Sequence, residues 1–390
     1  MIYLDYNATT PLGAAAREAM EPFLARHYGN PSSVHAAGRE ARAAVDDARD
    51  RLADLLEAKP HELIFTSSGT ESNNLAVLGL ARSHAHRGRH LICAVTEHHA
   101  VLNAFEHLRD REQFEVTFLP VDQGGRIDPE ELSRSIRNDT TLVSVMTANN
   151  ETGVIQPMTA LARLCEERGV LLHSDMVQSF GKTETVLDGL AAVSFAAHKF
   201  YGPKGAGLLY LRAGIPIDPI QFGGAHENQR RPGTENVAAI AGMARAAEFV
   251  LADREQEQKR EGRLRDRLWE RISAACPDAV RNGTDSDCLA NTLNVSFPGL
   301  SSETILMALD LEGVCASSGS ACMVGSVVAS HVLLAMGLPV DVASAAVRFS
   351  LGHETTEEEI DRAAMIVARV INRILSANAR ADEQLQGAAI

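Results

Sequence analysis

The residues with the clearest chemical potential stand in two small groups. Thr66-Ser-Ser-Gly-Thr-Glu-Ser-Asn-Asn74 follows an apolar run and opens a helix-like stretch. Gly69 permits close approach to the backbone, Thr70 offers a hydroxyl, and the free N–H groups of a helix start attract an anion. The pattern serves either as a phosphate cradle or as an ordinary Ser/Thr helix cap. His198-Lys199 closes a second apolar run, just ahead of Phe200-Tyr-Gly-Pro-Lys-Gly205. A lysine entering from such a strand loses hydration, which favours the neutral amine that Schiff-base chemistry requires. Lys204, flanked by proline and glycine, is expected in solvent. Asp175 lies two residues past the run Val170–His173, where open α/β sheets place ligand groups. A carboxylate there suits a pyridinium nitrogen. Phosphate cradle, amine and strand-end carboxylate are the three contacts that pyridoxal 5'-phosphate demands.

Other candidates are weighed singly. Cys322 sits in Ser317-Ser-Gly-Ser-Ala-Cys322, an uncharged Gly/Ser-rich stretch that suits an exposed nucleophilic thiol. Cys315 and Cys93, inside apolar runs, read as core residues. His84, His86 and His90 crowd among arginines that repel a cation, and no HExxH is present, so no metal is expected. His98 follows the run Leu91–Val95 and offers an aromatic face to a cofactor ring. Arg348, in Ala345-Ala-Val-Arg-Phe349, is costly to bury without an anion and suits a bidentate carboxylate contact. Gly181-Lys-Thr183 resembles the end of a P-loop, but Met176 stands where that motif needs glycine.

These residues need a frame. Strands are expected at Leu63–Thr66, Leu91–Val95, Val116–Leu119, Leu142–Thr147, Val170–His173, Ala192–Ala196 and Gly207–Leu211. Helix-like stretches separate most of them, which predicts a largely parallel α/β sheet, with Gly207–Leu211 as an antiparallel member. A charged helical region runs from about Val237 to Ala275, with an apolar stripe at Leu264, Leu268 and Ile272 and its charges on a solvated face. A second alternation follows: strands Thr292–Phe297, Val314–Ser317 and Val347–Leu351, and helices Glu303–Leu311 and Thr356–Leu375. The expected division is a large cofactor-binding domain at 13–255, a smaller α+β domain at 1–12 and 256–376, and a flexible tail at 377–390.

Composition narrows the function classes. The 390 residues carry a net charge of −14, which does not suit direct nucleic-acid binding. Hydrophobic residues at 45% exclude wholesale disorder. No secretory signal or membrane span is expected, and six cysteines without CxxC spacing read as reduced thiols of a cytoplasmic protein.

Taken together, the motifs resemble the cysteine desulfurases, pyridoxal-phosphate enzymes of the aminotransferase class V, fold-type I group. The resemblance rests on Tyr3-Leu-Asp-Tyr-Asn-Ala-Thr-Thr-Pro11, Gly29-Asn-Pro-Ser-Ser33, Ser68–Asn74, Asn149-Asn-Glu151, His198-Lys199 with Gly202-Pro-Lys-Gly205, Arg230-Arg-Pro-Gly-Thr-Glu-Asn236, and Ser317–Cys322. The last motif is similar to the branch with a long catalytic-cysteine loop. The resemblance implies that Lys199 binds the cofactor covalently and shuttles protons, and that His98 stacks on its ring and assists. It implies that Asp175 pairs with the ring nitrogen, Gln178 with the phenolic oxygen, and Thr70 and His198 with the phosphate beside Gly69. Thr234 of a neighbouring subunit joins the phosphate in a homodimer, and Asn150 and Arg348 place the substrate carboxylate. Cys322 takes sulfur from L-cysteine as a persulfide, leaving alanine, and hands it to an acceptor protein such as a cluster scaffold or a thiolation enzyme. Two alternatives accompany this: selenocysteine lyase or another β-lyase, and a non-catalytic scaffold of a sulfur system. The family usually has a hydroxyl residue where Ala196 stands, and often Glu-Pro where Val328-Ala329 stand. The first departure predicts looser cofactor retention.

Overall fold

The computed structural model describes residues 1–284, 286–319 and 329–388. Its strands in chain order are β1 (Ile2–Tyr3), β2 (Leu63–Thr66), β3 (His90–Ala94), β4 (Glu115–Leu119), β5 (Thr140–Ser144), β6 (Leu171–Asp175), β7 (Ala192–Ala196), β8 (Gly207–Leu211), β9 (Val280–Asn282), β10 (Thr292–Ser296), β11 (Val314–Cys315) and β12 (Ala346–Ser350). Seven of them form the central sheet in the order β2-β8-β7-β6-β5-β3-β4. Only β8 runs against its neighbours, so β2 through β7 all point the same way. Successive side chains of a strand face opposite sides, and here both sides are apolar. Phe65, Ile92 and Val143 enter one core, whereas Ile64, Leu91, Cys93 and Leu142 enter the other. That double burial explains why the sheet reads as short, nearly continuous apolar runs.

A smaller antiparallel sheet, β12-β10-β9, lies apart from the central one, and β1 pairs in parallel with β11. Leu293, Val295, Val347 and Phe349 form its core with Ile2 and Leu4, and the stripe Leu264, Leu268 and Ile272 packs there. The charged region is two helices, Val237–Ala252 and Arg254–Ala275, broken at Asp253. Its charges are not all solvated as expected. Glu261 and Arg265 are buried, and Glu261 continues the apolar stripe one turn before Leu264. The last helix, Glu357–Ala388, runs through the segment where a flexible tail is expected. Cys315 is only half-buried, because β11 pairs on one side alone.

Parallel strands deliver their following loops to one edge. The carboxyl ends of β2, β3, β5, β6 and β7 therefore gather Gly69 and Thr70, His98, Asn150, Asp175 with Gln178, and His198 with Lys199.

Candidate active site

Lys199 ends a short 3-10 turn, Ala197–Lys199, that leaves β7. Its Nζ donates to the main-chain oxygens of Asn7 at 2.6 Å and Ala8 at 2.8 Å. Burial first, then the cations Arg348 and Lys182, draw its pKa down to about 7. Sequence reasoning anticipated the desolvated amine but not its holder. Asn7 is itself pinned: its N–H donates to Ser350 Oγ at 2.9 Å and its Nδ2 to Thr292 Oγ1 at 2.9 Å. Lys204 is exposed, as expected.

Asp175 is the last residue of β6, rather than two residues beyond it. Asn73 Nδ2 donates to its Oδ2 at 2.6 Å, and the Val177 N–H donates to Oδ1 at 2.8 Å. The carboxylate is thus fixed in orientation. Burial raises its pKa and the neighbouring His98 opposes that rise, so a cation on its open side would be welcome. His98 caps the helix His99–Glu112, its Nδ1 accepting from the Ala100 N–H at 3.0 Å. That contact leaves the proton of the neutral ring on Nε2. Burial holds the imidazole below its ordinary pKa.

The Ser68 side chain caps the helix Gly69–Ser83 by accepting from the Glu71 N–H at 3.1 Å. Both sequence alternatives therefore hold in part: Ser68 is a cap, and the N–H groups ahead of Glu71 stay open to an anion. Position 69 itself is tightly packed and needs glycine. A Cβ on Gly69 would lie 2.7 Å from Val177 Cγ2 and 3.2 Å from Ala196 Cβ. Thr70 is exposed at this helix start. His198 Nδ1 lies 3.2 Å from Thr9 Oγ1, and burial draws that imidazole down to about 4. Gln178 spans Asn7 and Lys182, donating to the Asn7 carbonyl at 2.8 Å and accepting from Lys182 Nζ at 3.1 Å.

Arg348 is buried on β12, and the anion that neutralises it belongs to the chain. Its guanidinium donates to Asp5 Oδ1 at 2.8 Å and to the main-chain oxygen of Asn150 at 2.9 Å. Burial alone therefore does not require a substrate carboxylate there. The Arg348 Nε, with no partner among the described residues, is a donor still to be used. Ser317 Oγ donates to the other oxygen of Asp5 at 3.1 Å. Ser330 Oγ donates to Glu151 Oε2 at 2.5 Å. Cys322 lies outside the described residues, but Ser317 and Ser330, on either side of it in the chain, are both held at this edge. Val328 also lies outside them. Thr234 is not brought to Lys199 within one chain. It lines a separate cleft of about 720 Å³ with Arg42, Arg49, His226 and Glu227.

Tested against pyridoxal phosphate, the residues fit. An oriented carboxylate, a desolvated amine, an imidazole and a helix start shaped by a glycine occupy one edge. Of the seven buried polar atoms lacking partners among the described residues, Asn73 Oδ1 belongs to the residue that orients Asp175, and Thr96 Oγ1 and Glu97 Oε2 belong to the two residues just before His98. Sequence reasoning assigned no role to Asn7, Asp5, Asn73, Glu151, Lys182 or Glu261. All but Glu261 lie in motifs singled out there, and Glu261 carried its own signal, a carboxylate on an apolar stripe.

Fold and edge together define a class of enzyme built on a mostly parallel sheet with a lysine after one strand. The aminotransferase class-V family profile matches residues 2–363, and the chain belongs to that family. It is 44% identical over 375 residues to a cysteine desulfurase IscS of Dictyoglomus turgidum, covering 96% of this chain and 95% of the relative. A solved NifS-like protein superposes with a TM-score of 0.90 at 36% identity, covering 95% of this chain and 99% of the other. A structure described as SspA in complex with cysteine gives a TM-score of 0.79 at 33% identity, over 90% of this chain and 99% of the other.

Proposed function

We propose that the protein is a pyridoxal-phosphate-dependent cysteine desulfurase that moves sulfur from L-cysteine onto Cys322 and releases L-alanine. The observation that carries this reading is the convergence of Lys199, Asp175, His98 and Gly69–Thr70 on one sheet edge in a class-V chain whose relatives bear that name. When bound, the cofactor supplies an electron sink that stabilises negative charge at the substrate Cα.

The protein's own groups do the rest. Lys199 is the covalent anchor, and with its pKa drawn to about 7 the amine also accepts and returns the Cα proton near neutrality. Asp175, clamped by Asn73 and Val177, would hold the ring nitrogen and favour its protonated form. His98, with its proton on Nε2, would assist beside the ring. Gln178 would hold the phenolic oxygen, and the start of the helix Gly69–Ser83, with Thr70 and His198, would hold the phosphate. Arg348 and Asn150 orient the substrate carboxylate. The Cys322 thiolate attacks the substrate sulfur, the C–S bond breaks, and its electron pair stays with carbon, which is then protonated to alanine. The new S–S bond leaves a persulfide on Cys322 for a sulfur-acceptor protein.

A second copy of the chain completes the phosphate site through Thr234, whose exposure on a polar cleft supports a homodimer. Five described cysteines are free, which supports a reducing compartment, the cytoplasm. The test is alanine release from L-cysteine, with mass spectrometry of Cys322. Wild type should release alanine and carry an added sulfur, and Cys322→Ser should do neither while keeping the cofactor. Undiminished turnover by Cys322→Ser would identify a β-lyase instead.

A further inference from the structure

Behind Lys199 lies a second lysine, in the stretch that mimics the end of a P-loop. Lys182 Nζ donates to Gln178 Oε1 at 3.1 Å and to Asn7 Oδ1 at 3.5 Å. Gln178 in turn donates to the Asn7 carbonyl, the same oxygen that receives Lys199 Nζ at 2.6 Å. Lys182 therefore grips both the residue that holds Lys199 and the amide that shares its acceptor. The two lysines also border one cavity of about 20 Å³, room for a single water, with Glu257, Glu261, Tyr201 and His353.

The charges around that cavity decide what Lys182 can do. From the helix Arg254–Ala275 come Glu257, Arg260 and Glu261. Tyr6 of the amino-terminal segment and His353 of the loop after β12 also line the cavity, while Asp5, Asp175 of β6 and Arg348 of β12 act on Lys199 from beyond its wall. Arg260 binds Glu257 at 2.6 and 2.8 Å, so that carboxylate is already matched. Glu261 is the remaining acid in the cavity wall. Burial draws Lys182 down to about 8, with Glu261 opposing, and pushes Glu261 up to about 8. Lys199 lies lower, at about 7, with Lys182 among the causes.

We propose that Lys182 is a positioning residue for the reaction: it holds Asn7 and Gln178 in place around Lys199 and supplies, under the control of Glu261, a cation that opposes a second positive charge on that amine. The proposal rests on Lys199 being the amine that binds the cofactor. A purely structural lysine would hold Asn7 and Gln178 without altering how Lys199 takes up a proton.

The experiment is pulse acylation of the full-length, cofactor-stripped protein with acetic anhydride between pH 5 and 10, read by mass spectrometry at each lysine. In wild type, Lys199 should reach half-labelling at a lower pH than Lys182. The reverse order would mean that Lys182 is already neutral where Lys199 titrates, and it would overturn the proposal even if no variant folds. In Lys182→Met the Lys199 midpoint should rise by roughly one pH unit, an approximately five- to sixfold loss of labelling at pH 7. Lys182→Arg should keep it low. An unmoved midpoint in Lys182→Met, or an equal rise in both variants, refutes the proposal. Borohydride reduction with pyridoxal phosphate separates the two ideas. If Lys199 is never pyridoxylated, the functional reading fails; if it is pyridoxylated with its midpoint insensitive to Lys182, only this proposal fails.

Discussion

Restoring a hydroxyl at position 196 should tighten cofactor binding. Ala196 ends β7, is 1% exposed, and faces the start of the helix Gly69–Ser83, its Cβ lying 3.2 Å from where a Cβ on Gly69 would sit. In Ala196→Ser the new Oγ therefore projects into the cradle assigned to the phosphate. A hydrogen bond to a charged acceptor contributes about 1.5–3 kcal/mol. At 1.4 kcal/mol per decade, that converts to a Kd about 10- to 140-fold lower. Without the phosphate, the same hydroxyl would be buried without that acceptor, which costs about 1–3 kcal/mol. Two readouts should consequently move together. Titration of stripped protein with pyridoxal phosphate, followed by absorbance, should show the lower Kd, and the rise in Tm on adding cofactor should exceed that of wild type. An unchanged Kd would refute the reasoning, because it would mean that position 196 does not face the phosphate.

Three further outcomes are expected. Because Lys199 must be neutral to capture the cofactor and its pKa lies near 7, the capture rate should climb about tenfold per pH unit below 7 and level off above 8; stopped-flow absorbance that still climbs at pH 9 would contradict this. Asp5→Asn leaves Arg348 buried with its counter-charge gone, and should cost about 3 kcal/mol of stability in denaturant unfolding, the low end for a buried pair because Asp5 is 17% exposed. Leu268→Ala should cost about 2–5 kcal/mol, since Leu268 is fully buried in the smaller core, and it should leave the cofactor spectrum intact.

The sheet was legible because each of its strands is a short apolar run, and because helices between them force parallel neighbours. The antiparallel place of Gly207–Leu211 followed from its short connection to Ala192–Ala196. Lys199 and Asp175 were legible for the same reason: a charged residue at the end of an apolar run has few positions other than the sheet edge. Asn7 and Asp5 were not, because their partners are distant in sequence, and Lys182 was not, because its link to Asn7 spans 175 residues although Gln178 is four away. Asp5 meets Arg348 across 343 residues, and Asn7 meets Lys199 across 192. Hydropathy cannot report a main-chain oxygen as a lysine's acceptor. Glu261 was overlooked because a charge-rich helix reads as solvated, although its register with Leu264 places it inward. The continuation of the last helix past Leu375 was missed because polar, Ala-rich composition permits a helix as readily as a tail.

The seat of Asn7 has a consequence for biosynthesis. Asn7 leaves the ribosome 343 residues ahead of Ser350, the residue that fixes its N–H. At 5–20 residues per second, that is a wait of roughly 17–70 s. The central sheet is complete once Leu211 has been made, yet until Ser350 follows, the Asn7 N–H lacks the hydroxyl that fixes it. Vitamin B6 captured by a nascent chain would thus meet a half-built receptor, and productive loading belongs to the finished polypeptide.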